Sequence, residues 1–179
     1  MRIIAGEWRG RPLAAPEGRD TRPTADRTRE GLFSMLASRV GSFEGLRVAD
    51  LFAGTGALGL EALSRGAAHC LFVESDRNAL SMLQQNIDRF GATERAEVRS
   101  QAVEYAAPPS RPADLLLMDP PYGTGLAAMA LRRVCNPAWI APGGWLSVET
   151  NGERLEVPAG FTTEAERRFG KATILLLRA

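Results

Sequence analysis

Histidine and lysine are nearly missing from this 179-residue chain, which has one of each, His69 and Lys171. Cysteine is scarce too: Cys70 and Cys135 stand alone, with no pairing motif around either. These shortages argue against a zinc site and against a disulfide framework, and they suit a reducing, cytoplasmic compartment. The first eleven residues hold no apolar run long enough for a signal peptide, and no later segment could span a bilayer. Repeats, low-complexity stretches and credible linkers are absent, so the length fits one domain. With 45% hydrophobic and 24% charged residues, the composition is that of a soluble globular protein.

A net charge of +1 gives no global signal for a polyanion partner. The distribution says more. Residues 1–29 carry seven arginines (Arg2, Arg9, Arg11, Arg19, Arg22, Arg27, Arg29) against four acids, a local balance of +3 that leaves −2 for the rest. GC-rich codon usage accounts for arginine replacing lysine everywhere. It does not account for the excess at one end, and a basic arm of this kind suits phosphate contact.

The chain divides into an arm over 1–20, a leading helix over 21–40 and a core over 46–179. In the arm, Gly6, Gly10, Pro12, Pro16 and Gly18 interrupt short extended pieces. Arg2-Ile3-Ile4 and Arg11-Pro12-Leu13 could flank a hairpin with Trp8 near its turn. Arginines beside an exposed tryptophan would bind single-stranded or distorted RNA; a β-arm packed on the main domain is the other reading, and both stay open. Thr24 and Asp26 suit a helix N-terminus, and Leu32, Met35, Leu36 and Val40 share one helical face.

From residue 46 strands and helices alternate. Strands are expected over 46–52, 69–74, 96–100, 114–118 and 145–149. Helices are expected over 57–65, 77–90 and near 126–134, with a short helix near Val103. A terminal antiparallel hairpin is expected over 162–168 and 172–177. Such alternation predicts an α/β fold, a parallel sheet with helices on both faces.

Gly54, Gly56 and Gly59 form G-x-G-x-x-G between the first strand and the first core helix, the context this pattern requires. Glu74 ends the second strand, where a carboxylate can accept the hydroxyls of a ribose. Together they point to an adenosine-containing ligand, although glycines serving a tight turn would also fit. Asp50, just before the loop, would repel a pyrophosphate and attract an ammonium or sulfonium. S-adenosylmethionine therefore fits better than NAD. The expected cofactor residues are Thr24, Asp50, Phe52, Ala53, Gly54, Gly56, Gly59, Glu74, Ser75, Gln101 and Ala102, with Gln101 beside the adenine.

Asp119-Pro120-Pro121-Tyr122 follows the fourth strand. Two successive prolines stiffen the turn and leave its carbonyls without local amide partners. Asp119 and a neighbouring carbonyl could accept the hydrogens of a planar amine while Tyr122 stacks on its ring. These four residues also suit a plain loop closing a strand. The fourth strand lies beside the first in such sheets, which would bring Asp119 to the cofactor loop.

The glycine loop and the Asp-Pro-Pro-Tyr run resemble the Rossmann-like class I S-adenosylmethionine-dependent methyltransferases, especially the branch that methylates amines. The fuller pattern covers Arg2-Ile3-Ile4-x-Gly6, Trp8-Arg9-Gly10-Arg11, Arg22-Pro23-Thr24, Arg27-x-Arg29-Glu30-x-Leu32-Phe33, and residues 50–61 with Ala62-Leu63-Ser64-Arg65. It is similar to one family, the bacterial 16S ribosomal RNA guanine-N2 methyltransferases of the ribosomal small subunit methyltransferase D type. The likeness is dense over 1–76 and 119–122 and thin after 150. It implies a seven-stranded, mostly parallel sheet with an antiparallel last strand, preceded by a small hairpin and helix extension. It also implies one methyl transferred to a guanine N2 in 16S rRNA, in the small subunit or an assembly intermediate. Asp119, Pro120, Pro121 and Tyr122 would be catalytic, and Arg2, Arg9, Arg11, Arg22 and Arg27 would meet RNA. No metal is required, no membrane is involved, and a monomer suffices. Gln101 departs from the Asp common in the family.

Three rivals remain. Adenine N6 in DNA or RNA has the same amine chemistry, but a sequence-specific DNA enzyme usually needs a further recognition domain. An NAD(P) oxidoreductase would need a Tyr-Lys, His or Cys arrangement that one lysine and one histidine make poor. A non-catalytic RNA-binding module could have kept a nucleotide fold.

Overall fold

A computed structural model describes residues 1–15 and 23–179. The core runs β1 (Arg47–Leu51), α2 (Ala57–Ser64), β2 (His69–Glu74), α3 (Arg77–Phe90), β3 (Ala96–Ser100), β4 (Ala113–Met118), α4 (Leu126–Val134), β5 (Ile140–Thr150), β6 (Thr162–Phe169) and β7 (Ala172–Arg178). Helix α1 (Pro23–Val40) precedes it and opens on a proline, whose missing N–H costs nothing at a first helical position. Arg22 lies outside the described residues, as does the side chain of Thr24, so the expectations placed on both fall there.

The seven strands lie in the order β3-β2-β1-β4-β5-β7-β6. Strands β3, β2, β1, β4 and β5 pair in parallel; β7 runs antiparallel to β5 and to β6, as the resemblance implies. Strand β5 is longer than its sequence pattern indicates, because Ile140 through Gly144 extend it upstream of Trp145. Glycines and a proline there hide the strand from a reading based on apolar alternation. A bulge interrupts edge strand β6 between Thr163 and Ala165.

Two cores flank the sheet. One gathers α1, α2, α3 and the arm through Leu36, Leu60, Leu63, Leu83 and Ile87; the other lies under α4 with Leu131, Val134 and Trp139. The inner strands contribute alternate residues to the two sides: Leu115 and Leu117 of β4 face the first, Leu116 and Met118 the second.

Of the two readings left open for the arm, the structure takes the β-arm packed on the main domain. The arm's hairpin reduces to a single antiparallel bridge, Arg2 to Pro12, and Trp8 is 2% exposed rather than open to a partner. The tryptophan stacks on Phe90 with ring centroids 5.1 Å apart, and the guanidinium of Arg95 covers it at 5.0 Å. Buried side chains of the core supply the hydrogen bonds that the short arm cannot make within itself. Glu61 accepts from the amides of Ile4 (2.7 Å) and Ala5 (3.0 Å) and from Nε of Arg65 (2.8 Å). Ser64 accepts from the Trp8 amide and donates to the Ala5 carbonyl. Asn86 pairs with Ala14 in both directions and also donates to the Thr55 carbonyl. Gly6 is required where the arm crosses α2, since its φ is +85° and an added Cβ would lie 1.8 Å from the Ser64 carbonyl oxygen. The arm is a clamped part of the domain.

Candidate active site

Four neighbouring strands, β2, β1, β4 and β5, each present a carboxylate near their C-terminal ends. Register aligns Asp50 with Phe72 and Leu117, and Met118 with Val148. Glu74 and Asp119 then lie two residues beyond Asp50's partners, and Glu149 is abreast of Asp119. Phe72 and Leu117 face the core beneath α1, α2 and α3. Period-two alternation puts Asp50, Glu74, Asp119 and Glu149 on that same face. The strand ends thus form one acidic row, an environment that attracts cations and repels phosphates.

Asp50 sits deepest, 1% exposed. Its Oδ2 accepts from the Gly59 amide at 2.8 Å, whereas Oδ1 is buried with no partner among the described residues. Burial, less the help of the Gly59 hydrogen bond and with Glu74 adding repulsion, raises its pKa to about 7. A buried carboxylate oxygen without a partner is costly, and a bound cation relieves that cost. Glu74 is engaged at both oxygens: Oε2 accepts from Gly54, and Oε1 from Ser75 and Asp76. It braces the glycine loop against the end of β2.

The three glycines differ in what surrounds them. Gly54 has φ +56°, and a Cβ there would meet nothing within 4 Å, so the backbone borders open space. Gly56 caps α2, and a Cβ there would strike Leu83 at 2.5 Å; one at Gly59 would strike Phe72 at 2.3 Å. Gly59 therefore serves the packing of α2 on β2, its amide already held by Asp50. Phe52 has φ +66°, the only positive φ outside glycine among the described residues. A bulky residue held there costs about 1–3 kcal/mol, and such strain clusters at functional sites. Ala53 is buried and donates to Val73, while Ser75 is exposed at the mouth. The Gln101 amide donates to the Glu74 carbonyl, which places Gln101 and Ala102, both half-buried, beside the end of β2.

Asp119 is exposed to solvent at the tip of β4 yet crowded by protein. Desolvation first, then Glu149 and Asp50, raise its pKa to about 7. Pro120 is buried; among the described residues no donor engages its carbonyl, whereas Thr124 Oγ1 holds that of Pro121 at 2.7 Å. Tyr122 is 45% exposed and its hydroxyl donates to Oε1 of Glu149. Burial and this bond raise the pKa of the phenol, while burial raises that of Glu149 against the opposing effect of the same bond. Sequence reading gave Glu149 no role. Its signal was present: an acid ending the strand that follows Asp-Pro-Pro-Tyr.

The arginines expected to meet RNA fall into two groups. Arg2 donates to the Gly10 carbonyl, and Arg11 donates to that of Arg89 and covers the Phe90 ring at 4.7 Å. Arg9 and Arg27 are exposed, with no internal partner among the described residues.

A sequence profile described as Conserved hypothetical protein 95 matches residues 1–178. Ribosomal RNA small subunit methyltransferase D of Escherichia coli (strain K12) is 36% identical over 178 residues, covering 98% of this chain and 88% of that protein. The solved structure of yhhF from Escherichia coli superposes with a TM-score of 0.85 at 32% identity, over 99% of this chain and 97% of the other. Magnesium protoporphyrin IX methyltransferase from Synechocystis with bound SAM shares the fold, with a TM-score of 0.67 at 15% identity over 93% of this chain and 86% of that one.

Proposed function

Because this chain belongs to the family described as Conserved hypothetical protein 95, that of the ribosomal RNA small subunit methyltransferase D proteins, we propose that it transfers a methyl group from S-adenosylmethionine to a guanine N2 in small-subunit rRNA. The observation that carries the chemistry is the acidic row ending in Asp119-Pro120-Pro121-Tyr122 beside the glycine loop. Asp50, with its unpartnered Oδ1, Gly54 and Glu74 suit a donor that carries an ammonium, a sulfonium and a ribose. Phe52, Ala53, Gly56, Ser75, Gln101 and Ala102 border the same strand ends. When bound, that donor supplies an electrophilic methyl.

The chain's own part is to hold the amine. A guanine N2 lone pair is delocalised into the ring and is a poor nucleophile. Hydrogen bonds from the amine to Asp119 and to the Pro120 carbonyl pull the nitrogen toward tetrahedral geometry and localise that lone pair. Positioning of this kind supplies several kcal/mol of a barrier, roughly 7–11 in the best intramolecular cases. The base must leave its stack, which costs a few kcal/mol; contact with the exposed face of Tyr122, worth about 1–3 kcal/mol, offsets much of that.

Incubation with labelled S-adenosylmethionine and either bare 16S rRNA or assembled small subunits, followed by mapping of the modified nucleotide, tests this reading. Label on a guanine N2 is expected; label on adenine N6 would replace it with the rival amine. Arg9 and Arg27 are proposed to touch phosphates. Changing both to alanine should weaken RNA binding and flatten the plot of log affinity against log salt by about 0.7 for each phosphate no longer neutralised. An unchanged slope would remove them from the interface.

A further inference from the structure

The amine clamp at Asp119 leaves one matter open, because it grips a planar amine without reading the ring that bears it. Adenine N6 and guanine N2 satisfy it equally. They differ at the adjacent ring nitrogen: N1 of guanine carries a hydrogen and donates, whereas N1 of adenine presents a bare lone pair and accepts. A base drawn out of its stack is read along this edge.

Glu149 stands beside the clamp on that edge. It is abreast of Asp119 on the adjoining strand, shares its face of the sheet, and is close enough for Asp119 to feel its charge. The Tyr122 hydroxyl fixes Oε1, and among the described residues Oε2 has no donor. A base stacked on Tyr122 with its amine at Asp119 therefore brings the neighbouring ring nitrogen toward a carboxylate.

We propose that Glu149 is the specificity-determining residue of this site, accepting the N1–H of guanine and repelling the N1 lone pair of adenine. This rests on the amine-methylating reading above and deepens it. The competing view is that Glu149 only anchors the Tyr122 ring.

The test uses the full-length protein and RNA or subunits in which the mapped target is either guanine or 2-aminopurine. The analogue keeps the 2-amino group but has a bare N1. The wild type should favour guanine in kcat/KM by at least about tenfold. In Glu149→Gln the carboxamide can donate to a bare N1, so the preference should shrink to within about threefold, with donor affinity by calorimetry changed only a few-fold. Tyr122→Phe breaks the hydroxyl contact but keeps the carboxylate, so it should slow both substrates and retain the preference. Equal wild-type rates on the two substrates would overturn the assignment without any variant. So would a Glu149→Gln protein that slows both in parallel, the anchoring result. A wild type that methylates no guanine at all would instead sink the underlying function, and this inference with it.

Discussion

Replacing Asp119 with alanine should lower methyl transfer by about 10²–10⁴-fold while leaving S-adenosylmethionine affinity within a few-fold. In the proposed reaction this carboxylate and the Pro120 carbonyl accept from the amine. The donor in that reaction is held elsewhere, by Asp50, the glycine loop and Glu74. Asp119→Asn keeps a carbonyl acceptor and should retain more activity than alanine. The two variants also separate by pH. The carboxyl of Asp119 titrates at about 7 in the ligand-free protein because burial, Glu149 and Asp50 all disfavour its charge. The ionised form accepts from the amine far more strongly than the neutral acid, so kcat/KM should fall by up to about tenfold per unit as pH drops below that value. A bound cationic donor favours the charged form, so the corresponding break in kcat should lie lower. The asparagine variant should lose the break. Rapid turnover by the alanine variant, or a wild-type profile flat from pH 8 to 5, would remove Asp119 from the reaction.

The largest expected effect on stability lies far from the amine, at Glu61. This side chain is fully buried and accepts three hydrogen bonds: two from arm amides and one from Arg65. Alanine there leaves the half-buried Ile4 and Ala5 amides and the Arg65 guanidinium without their shared acceptor. Breaking a buried network of this kind costs about 3–5 kcal/mol. For a chain of this size each kcal/mol moves Tm by about 2–4 °C, so the melt should fall by roughly 6–20 °C. Glutamine should recover only part of the loss, because it offers one acceptor oxygen and turns its amide toward a donor. Hydrogen exchange at Ile4 and Ala5 should accelerate before global unfolding. A Glu61→Ala melt within 2 °C of wild type would show that the arm is held by its apolar contacts alone.

Much of the sheet was legible in the sequence because β1, β2, β4 and β5 are apolar runs with an acid at or beside their C-terminal ends. The runs over 69–74, 77–90 and 96–100 needed no tertiary knowledge, and the structure places all three elements at those bounds. The reversal of β7 against β6 was expected from the short link at Gly170; its antiparallel place beside the parallel strands came with the resemblance. What the sequence hid was long-range. Nothing near Trp8 reveals that Phe90, 82 positions away, provides its stacking partner, so an apolar ring among arginines looked available to RNA. Glu149 was hidden for a related reason: its importance comes from the register between β5 and β4, which no local pattern specifies. Gly59 illustrates the reverse case. Its place in G-x-G-x-x-G was plain, but only the position of Phe72 shows that this glycine serves helix packing.

Strand β6 brings a different kind of consequence. It closes one side of the sheet, so its outer backbone groups face away from β7 with no further strand beyond them among the described residues. An open edge of this kind is a template on which a second chain can add a strand, the first step toward aggregation. Here the edge is interrupted by the bulge between Thr163 and Ala165 and carries Glu164, Glu166, Arg167 and Arg168. A strand arriving in either direction must match two acids followed by two arginines and bend with the bulge. The terminal hairpin, to which no catalytic role attaches, thereby keeps the seven-stranded sheet from growing into an eighth.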